Sequence, residues 1–178
     1  MVIKEGENTM SNMKCKRWIS LYVQNEIGVL ARISSLFSSK SYNLDSLTVG
    51  TTEDPTISRM TISVTSDDAT FEQIKKQLNR CVEVIKVIDF TTVPIHIKEV
   101  LFIKVKNLTK EDKVEIFHVS EAFHLSINDY GPDSVLIECT NTEERNNDII
   151  KFFKENFTTI EVVRGGNVAI EAISLSSH

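Results

Sequence analysis

The stretch Ile19-Ser20-Leu21-Tyr22-Val23-Gln24-Asn25-Glu26-Ile27-Gly28-Val29-Leu30, continuing to Ile33, Leu36 and Phe37, changes its period in the middle. Ile19, Leu21 and Val23 alternate with Ser20 and Tyr22, which is the pattern of a half-buried strand. From Val29 the apolar residues fall at Val29, Leu30, Ile33, Leu36 and Phe37, which places one buried face on a helix from about Gly28 to Lys40. A strand therefore runs into a helix through a short turn with a glycine at its end. Gly28 lets a ligand approach the backbone, and the new helix leaves its first N–H groups unpaired with a partial positive charge. Asn25 adds an amide oxygen that can accept from an ammonium group. One turn can thus hold both ends of an amino-acid backbone; taken alone, Asn25 and Gly28 read first as a plain helix cap, and the surrounding sequence has to decide.

The same order of elements continues outward. Strands are expected over Asn43–Thr51 and Ile57–Ser66, joined by a turn at Glu53-Asp54-Pro55-Thr56 in which the proline presets φ. Asp67-Asp68 can cap a helix carrying Phe71, Ile74 and Leu78, and Val82–Asp89 reads as a last strand. Thr91-Thr92-Val93-Pro94 breaks the pattern. The order then repeats: a strand over Val100–Val105, a helix over Lys110–Phe123 with Val114, Phe117 and Ala122 inward, strands over Leu125–Tyr130 and Ser134–Thr140, a helix over Glu144–Glu155, and a strand over Thr159–Val163 that ends before Gly165-Gly166. The expected fold is α+β: two tandem ferredoxin-like βαββαβ units, each an antiparallel sheet with two helices on one face. The division is a leader at 1–16, a first domain at 17–90, a linker at 91–98 and a second domain at 99–178.

Composition narrows the function. The chain has 178 residues, 41% apolar and 25% charged, which suits globular material. A net charge of -5 with basic residues interspersed among acids argues against nucleic acid. Cys15, Cys81 and Cys139 lie far apart, so they imply neither a zinc site nor a disulfide framework. His96, His118, His124 and His178 are scattered singly, and no phosphate loop or nucleophile-base spacing supports catalysis. With no apolar stretch near the start to act as a signal peptide, a cytoplasmic location is expected.

Asn43 opens the strand after the first helix and is a second candidate for ligand contact. A 13-residue helix is about 20 Å long, so Asn25 and Asn43 cannot grip one small molecule within a single chain. If both do, they belong to different subunits related by a two-fold axis. Otherwise Asn43 simply supports its turn.

Val23 to Leu30, Leu36-Phe37, Tyr42-Asn43-Leu44-Asp45-Ser46-Leu47-Thr48-Val49 and above all Asp54-Pro55-Thr56-Ile57-Ser58-Arg59-Met60-Thr61-Ile62 carry a resemblance. Over roughly Trp18 to Lys104 the chain resembles the regulatory (small) subunit of acetolactate synthase, a family with an N-terminal ACT domain. The resemblance implies a homodimer paired through its ACT domains, with Asn25, Ile27, Gly28, Val29 and Leu30 forming the effector-binding turn and Asn43 and Leu44 supplied by the neighbouring chain. It implies valine as feedback inhibitor in branched-chain amino acid biosynthesis, and a separate catalytic subunit using thiamine diphosphate, Mg and FAD. No cofactor or metal is expected in this chain. Asp54 and Arg59, within the most specific run, are candidate partner contacts. The alternatives are an ACT-domain sensor that regulates a different enzyme, and a structural subunit with a decayed effector site. Ser41 departs from the family, in which a glycine often precedes the tyrosine; the second half resembles it only loosely.

Overall fold

A strand with apolar residues on alternate positions needs a cover on one face only, and an amphipathic helix supplies it. The computed structural model describes residues 13–173. In chain order the elements are β1 (Cys15–Gln24), α1 (Val29–Ser39), β2 (Leu44–Thr51), β3 (Ile57–Ser66), α2 (Asp68–Leu78), β4 (Val84–Asp89), β5 (Ile95–Lys106), α3 (Lys110–Phe123), β6 (Ser126–Tyr130), β7 (Ser134–Asn141), α4 (Glu143–Asn156) and β8 (Ile160–Glu171). This is the βαββαβ order twice. The strands form two antiparallel sheets, ordered β2-β3-β1-β4 and β6-β7-β5-β8. Residues 13–96 together with 169–173 make one compact unit, and Ile97–Val168 the other.

In the first unit β1 lies antiparallel to β3, with Ile19 opposite Ile62 and Leu21 opposite Met60. Ile19, Leu21, Val23, Met60, Ile62 and Val64 from the sheet meet Val29, Ile33 and Phe37 of α1 and Phe71, Ile74 and Leu78 of α2 in one buried core. Asp67 caps α2 by accepting from the Thr70 N–H at 2.8 Å. Leu30 is a departure from the expected stripe: it turns outward, 44% exposed, beside a fully exposed Ile27.

The second unit repeats the arrangement around Leu101, Ile103, Val105, Ile116, Val135, Ile137, Ile149 and Phe153. Here the expected face of α3 is wrong. Val114 and Phe117 are 55% and 47% exposed and Ala122 is also outward, whereas Lys113, Ile116 and Ser120 face the sheet. A Thr109–Asp112 capping box starts the helix at Lys110, as expected, but the face turned to the sheet lies one residue earlier than the apolar pattern suggests. Lys113 then buries its stem while its ammonium donates to the Gly131 carbonyl at 2.9 Å and to that of Pro132, and sits 4.6 Å from the Tyr130 ring centre.

Three expected boundaries also move. Residues 1–12 of the expected leader lie outside the described residues, but Cys15 and Lys16 already pair with Ser66 and Thr65 in β1. Strand pairing uses main-chain groups and needs no apolar period. β5 begins at Ile95, inside the expected linker, because Pro94 can directly precede a strand. β8 does not stop before Gly165-Gly166. Gly166 takes a φ of 77°, and the strand continues to Glu171.

Candidate functional site

The turn between β1 and α1 is built by a left-handed glycine. Gly28 has φ 91° and ψ -10° and is the N-cap of α1; no side chain caps the helix and no acidic residue stands in its first turn. The first full helical bond is Arg32 N–H to the Gly28 carbonyl at 2.9 Å. The preceding N–H groups, at Val29, Leu30 and Ala31, therefore lie at the positive end of the helix. Nothing lies within 4 Å of where a Gly28 side chain would begin, so the space above this end is open. Val29 is buried in the core, while Asn25, Ile27 and Leu30 are exposed around the opening.

Asn25 does not cap the helix. Its side-chain N–H donates to the Pro55 carbonyl at 2.8 Å, and its side-chain oxygen accepts from Ser58 Oγ at 3.0 Å. Its main-chain N–H donates to the Thr56 carbonyl at 2.8 Å. Three bonds fasten the turn to the β2–β3 loop and the start of β3. That loop is itself closed by Asp54, whose carboxylate accepts from the Thr56 N–H at 2.8 Å and Thr56 Oγ1 at 2.7 Å. Those two bonds hold the Asp54 pKa below the usual carboxylate range. Pro55, Thr56 and Ser58 were not among the expected site residues, yet they brace Asn25; their signal was the specificity of the Asp-Pro-Thr run itself.

Asn43 and Leu44 stand at the far end of α1, one 11-residue helix away, or about 16 Å. One chain does not bring the two groups together. Leu44 is half-buried against its own core, and Asn43 is exposed. The helix ends through Ser41 at φ 56°, with Ser41 N–H donating to the Ser38 carbonyl at 3.1 Å and Tyr42 N–H to the Phe37 carbonyl at 3.0 Å. This 5→2 and 6→1 pair is a Schellman ending, sealed by an edge-on contact of the Tyr42 and Phe37 rings at 6.3 Å. The serine thus takes the glycine's place and conformation.

Arg59 lies on the sheet face opposite the helices, where its Nε donates to Ser20 Oγ at 2.8 Å and its guanidinium sits 5.2 Å from the Tyr22 ring centre. Both described bonds of the Asp54 carboxylate go to Thr56. Among the described residues no three His, Cys, Asp or Glu side chains gather into a metal-ligand group. Nor is any helix long and apolar enough to cross a membrane.

The second unit holds a buried polar cluster that sequence reasoning did not single out. Glu99, 4% exposed, accepts from Arg164 Nε at 2.9 Å and Nη2 at 2.7 Å, and from Asn146 Nδ2 at 3.0 Å. Asn146 also accepts from the Cys139 thiol at 3.1 Å. Burial pushes the Glu99 pKa up, but the bonds from Arg164 and Asn146 and the charge of Arg164 outweigh it and leave the group below its ordinary value. The cluster ties β5, α4 and β8 together.

Comparison with known proteins matches both halves of the chain. Residues 19–86 match the family model described as the AHAS small subunit-like ACT domain, and residues 98–173 the one described as the small subunit of acetolactate synthase. The chain is 41% identical over 155 residues to the acetolactate synthase small subunit of Aquifex aeolicus, covering 87% of this chain and 80% of that protein. It is 36% identical over 155 residues to that of Haemophilus influenzae, covering 87% and 94%. Among solved structures, the acetolactate synthase small subunit from Thermotoga maritima superposes with a TM-score of 0.82 at 34% identity, covering 90% of this chain and 99% of that one. With an ACT domain in its first unit, the fold of a solved small subunit and relatives aligned over most of their length, the chain belongs to the family of acetolactate synthase small subunits.

Proposed function

We propose that this chain is the regulatory subunit of acetolactate synthase, which activates a separate catalytic subunit and makes it sensitive to feedback inhibition by valine. The observation that carries the reading is the open, uncapped N-terminus of α1 behind a left-handed Gly28, braced in place by Asn25. A carboxylate accepts there from the first-turn N–H groups, an ammonium group reaches the Asn25 oxygen, and an isopropyl group lies on exposed Ile27 and Leu30. A helix terminus contributes about 0.3–1 kcal/mol and each charge-assisted hydrogen bond about 1.5–3 kcal/mol, so a few contacts together give a dissociation constant between about 1 μM and 1 mM. That is the range of a metabolite sensor.

The site is completed by Asn43 and Leu44 of a second copy in a homodimer. Support comes from the separation along α1 and from β2, an edge strand of its sheet with Val49 exposed on it. Valine inhibits by preferring the dimer arrangement that activates the enzyme less, and the catalytic subunit must weaken valine binding by the same factor. The catalytic subunit supplies the chemistry, with thiamine diphosphate, Mg and FAD as its cofactors. The decisive experiment mixes the purified chain with a catalytic subunit. Acetolactate formation should rise and then fall again on adding valine; no stimulation sinks the regulatory assignment, and stimulation indifferent to valine sinks the sensor.

A further inference from the structure

On the face of the first sheet turned away from the helices, one cross-strand row takes no part in the effector turn. The register sets Arg59 of β3 opposite Tyr22 of β1, and Tyr22 opposite Lys86 of β4. The Arg59 guanidinium lies 5.2 Å from the Tyr22 ring centre and its Nε donates to Ser20 Oγ at 2.8 Å, so the stem is fixed while its Nη groups bond to no described residue. Beyond Arg59 the row continues to Gly50, where nothing lies within 4 Å of the place a side chain would begin. Neither Arg59 nor Lys86 pairs with a carboxylate among the described residues. The acids three residues to either side of Lys86 are already taken, Glu83 by Arg32 and Asp89 by Lys75. On a chain of net charge -5, two uncompensated cations thus stand two strands, or about 10 Å, apart with one tyrosine between them.

The edge beside this row is apolar. β4 ends the sheet, and the pairing steps from Tyr22–Lys86 to Val23–Val84, which makes Ile85 the extra residue of a bulge. Ile85 is 54% exposed, and Val82, just before the strand, is 88% exposed. Arginine, tyrosine and exposed aliphatic side chains together are the composition of a protein interface. A second copy does not fit here, because the homodimer already uses the β2 edge and pairing through β4 as well would extend the sheet into an open array. The occupant is therefore a different protein, and its charge must be opposite. We infer that the Arg59–Tyr22–Lys86 row and the Ile85 bulge form the surface on which the catalytic subunit docks, through an acidic segment that also carries an apolar side chain. This rests on the regulatory reading above and gives it a partner surface on the edge opposite the one that pairs in the homodimer.

The test titrates a catalytic subunit with the full chain and measures the concentration that half-saturates the stimulation of acetolactate formation. Lys86→Glu alters an exposed side chain with no partner, so it should fold normally and bind valine with native affinity by calorimetry, yet need about tenfold more chain. Lys86→Arg should titrate like the wild type, and Ile85→Asp should weaken stimulation independently of charge pairing. Added sodium chloride should weaken stimulation by the wild type and much less that by an Arg59→Met/Lys86→Met variant. Wild-type titration curves for both Lys86→Glu and Ile85→Asp overturn the inference, as does a loss of valine affinity in step with the loss of stimulation. A wild-type chain that stimulates nothing sinks the regulatory reading itself, a failure seen before any variant is compared.

Discussion

Ser58 Oγ donates to the side-chain oxygen of Asn25 at 3.0 Å, joining two segments 33 residues apart. The bond explains why a strand-to-helix turn and a hairpin loop carry the two most distinctive motifs of the chain. Each holds the other. Asn25 to Ala should therefore do two kinds of damage, removing an acceptor for the ligand ammonium and releasing the turn from Pro55 and Ser58. We expect valine affinity to fall about tenfold or more by calorimetry. Ser58→Ala touches no ligand and should cost about 1 kcal/mol of folding stability with a smaller loss of affinity.

Gly28→Asp should abolish valine binding while leaving the circular dichroism spectrum unchanged. The φ of 91° costs a side chain about 1–2 kcal/mol, but no neighbouring atom blocks it. The added carboxylate would then occupy the helix N-terminus and repel the effector's own. A variant that still binds valine with native affinity would remove the turn from the site.

Mixing Asn25→Ala with Asn43→Ala chains tests the two-fold arrangement directly. Neither homodimer retains a complete site, whereas a mixed dimer keeps one turn and one asparagine intact together. Calorimetry should recover valine binding at up to one site per mixed dimer. If no binding returns after verified subunit exchange, the two residues do not share a ligand.

Ser41→Gly should stabilise the protein. Serine at φ 56° carries strain of about 1 kcal/mol that glycine lacks. The Schellman bonds and the Phe37–Tyr42 contact need no serine side chain, so they survive. Differential scanning calorimetry should register a rise of about 2–4 °C.

Glu99 predicts an acid limit to the second unit. Its native pKa is depressed below that of the unfolded chain, so its contribution is fully present above the unfolded value and is lost as the pH falls through the native one. Stability should decline below about pH 4.5. Arg164→Met leaves the carboxylate buried without its partner and should cost about 2–4 kcal/mol at neutral pH. Glu99→Gln should flatten the decline, which urea unfolding at a series of pH values would reveal.

The order of elements was legible in the sequence because periodicity is a local property: Ile19, Leu21 and Val23 against Val29, Ile33 and Phe37 announce a strand and then a helix. Gly28 was legible as the point where the helix opens and a ligand can approach, whereas its left-handed φ of 91° came only with the structure. The phase of α3 was not legible. Val114 and Phe117 look like core residues until the capping box and the reach of Lys113 to Gly131 and Pro132 settle which face turns inward. Neither the brace between Asn25 and Ser58 nor the clamp of Arg164 on Glu99 could be read in advance, because each joins positions brought together only when strands distant in sequence pair. Chain-local patterns determined which elements form and where the helix opens. Tertiary packing alone decided which polar side chains meet, because a hydrogen bond depends on distances that residue spacing along the chain does not specify.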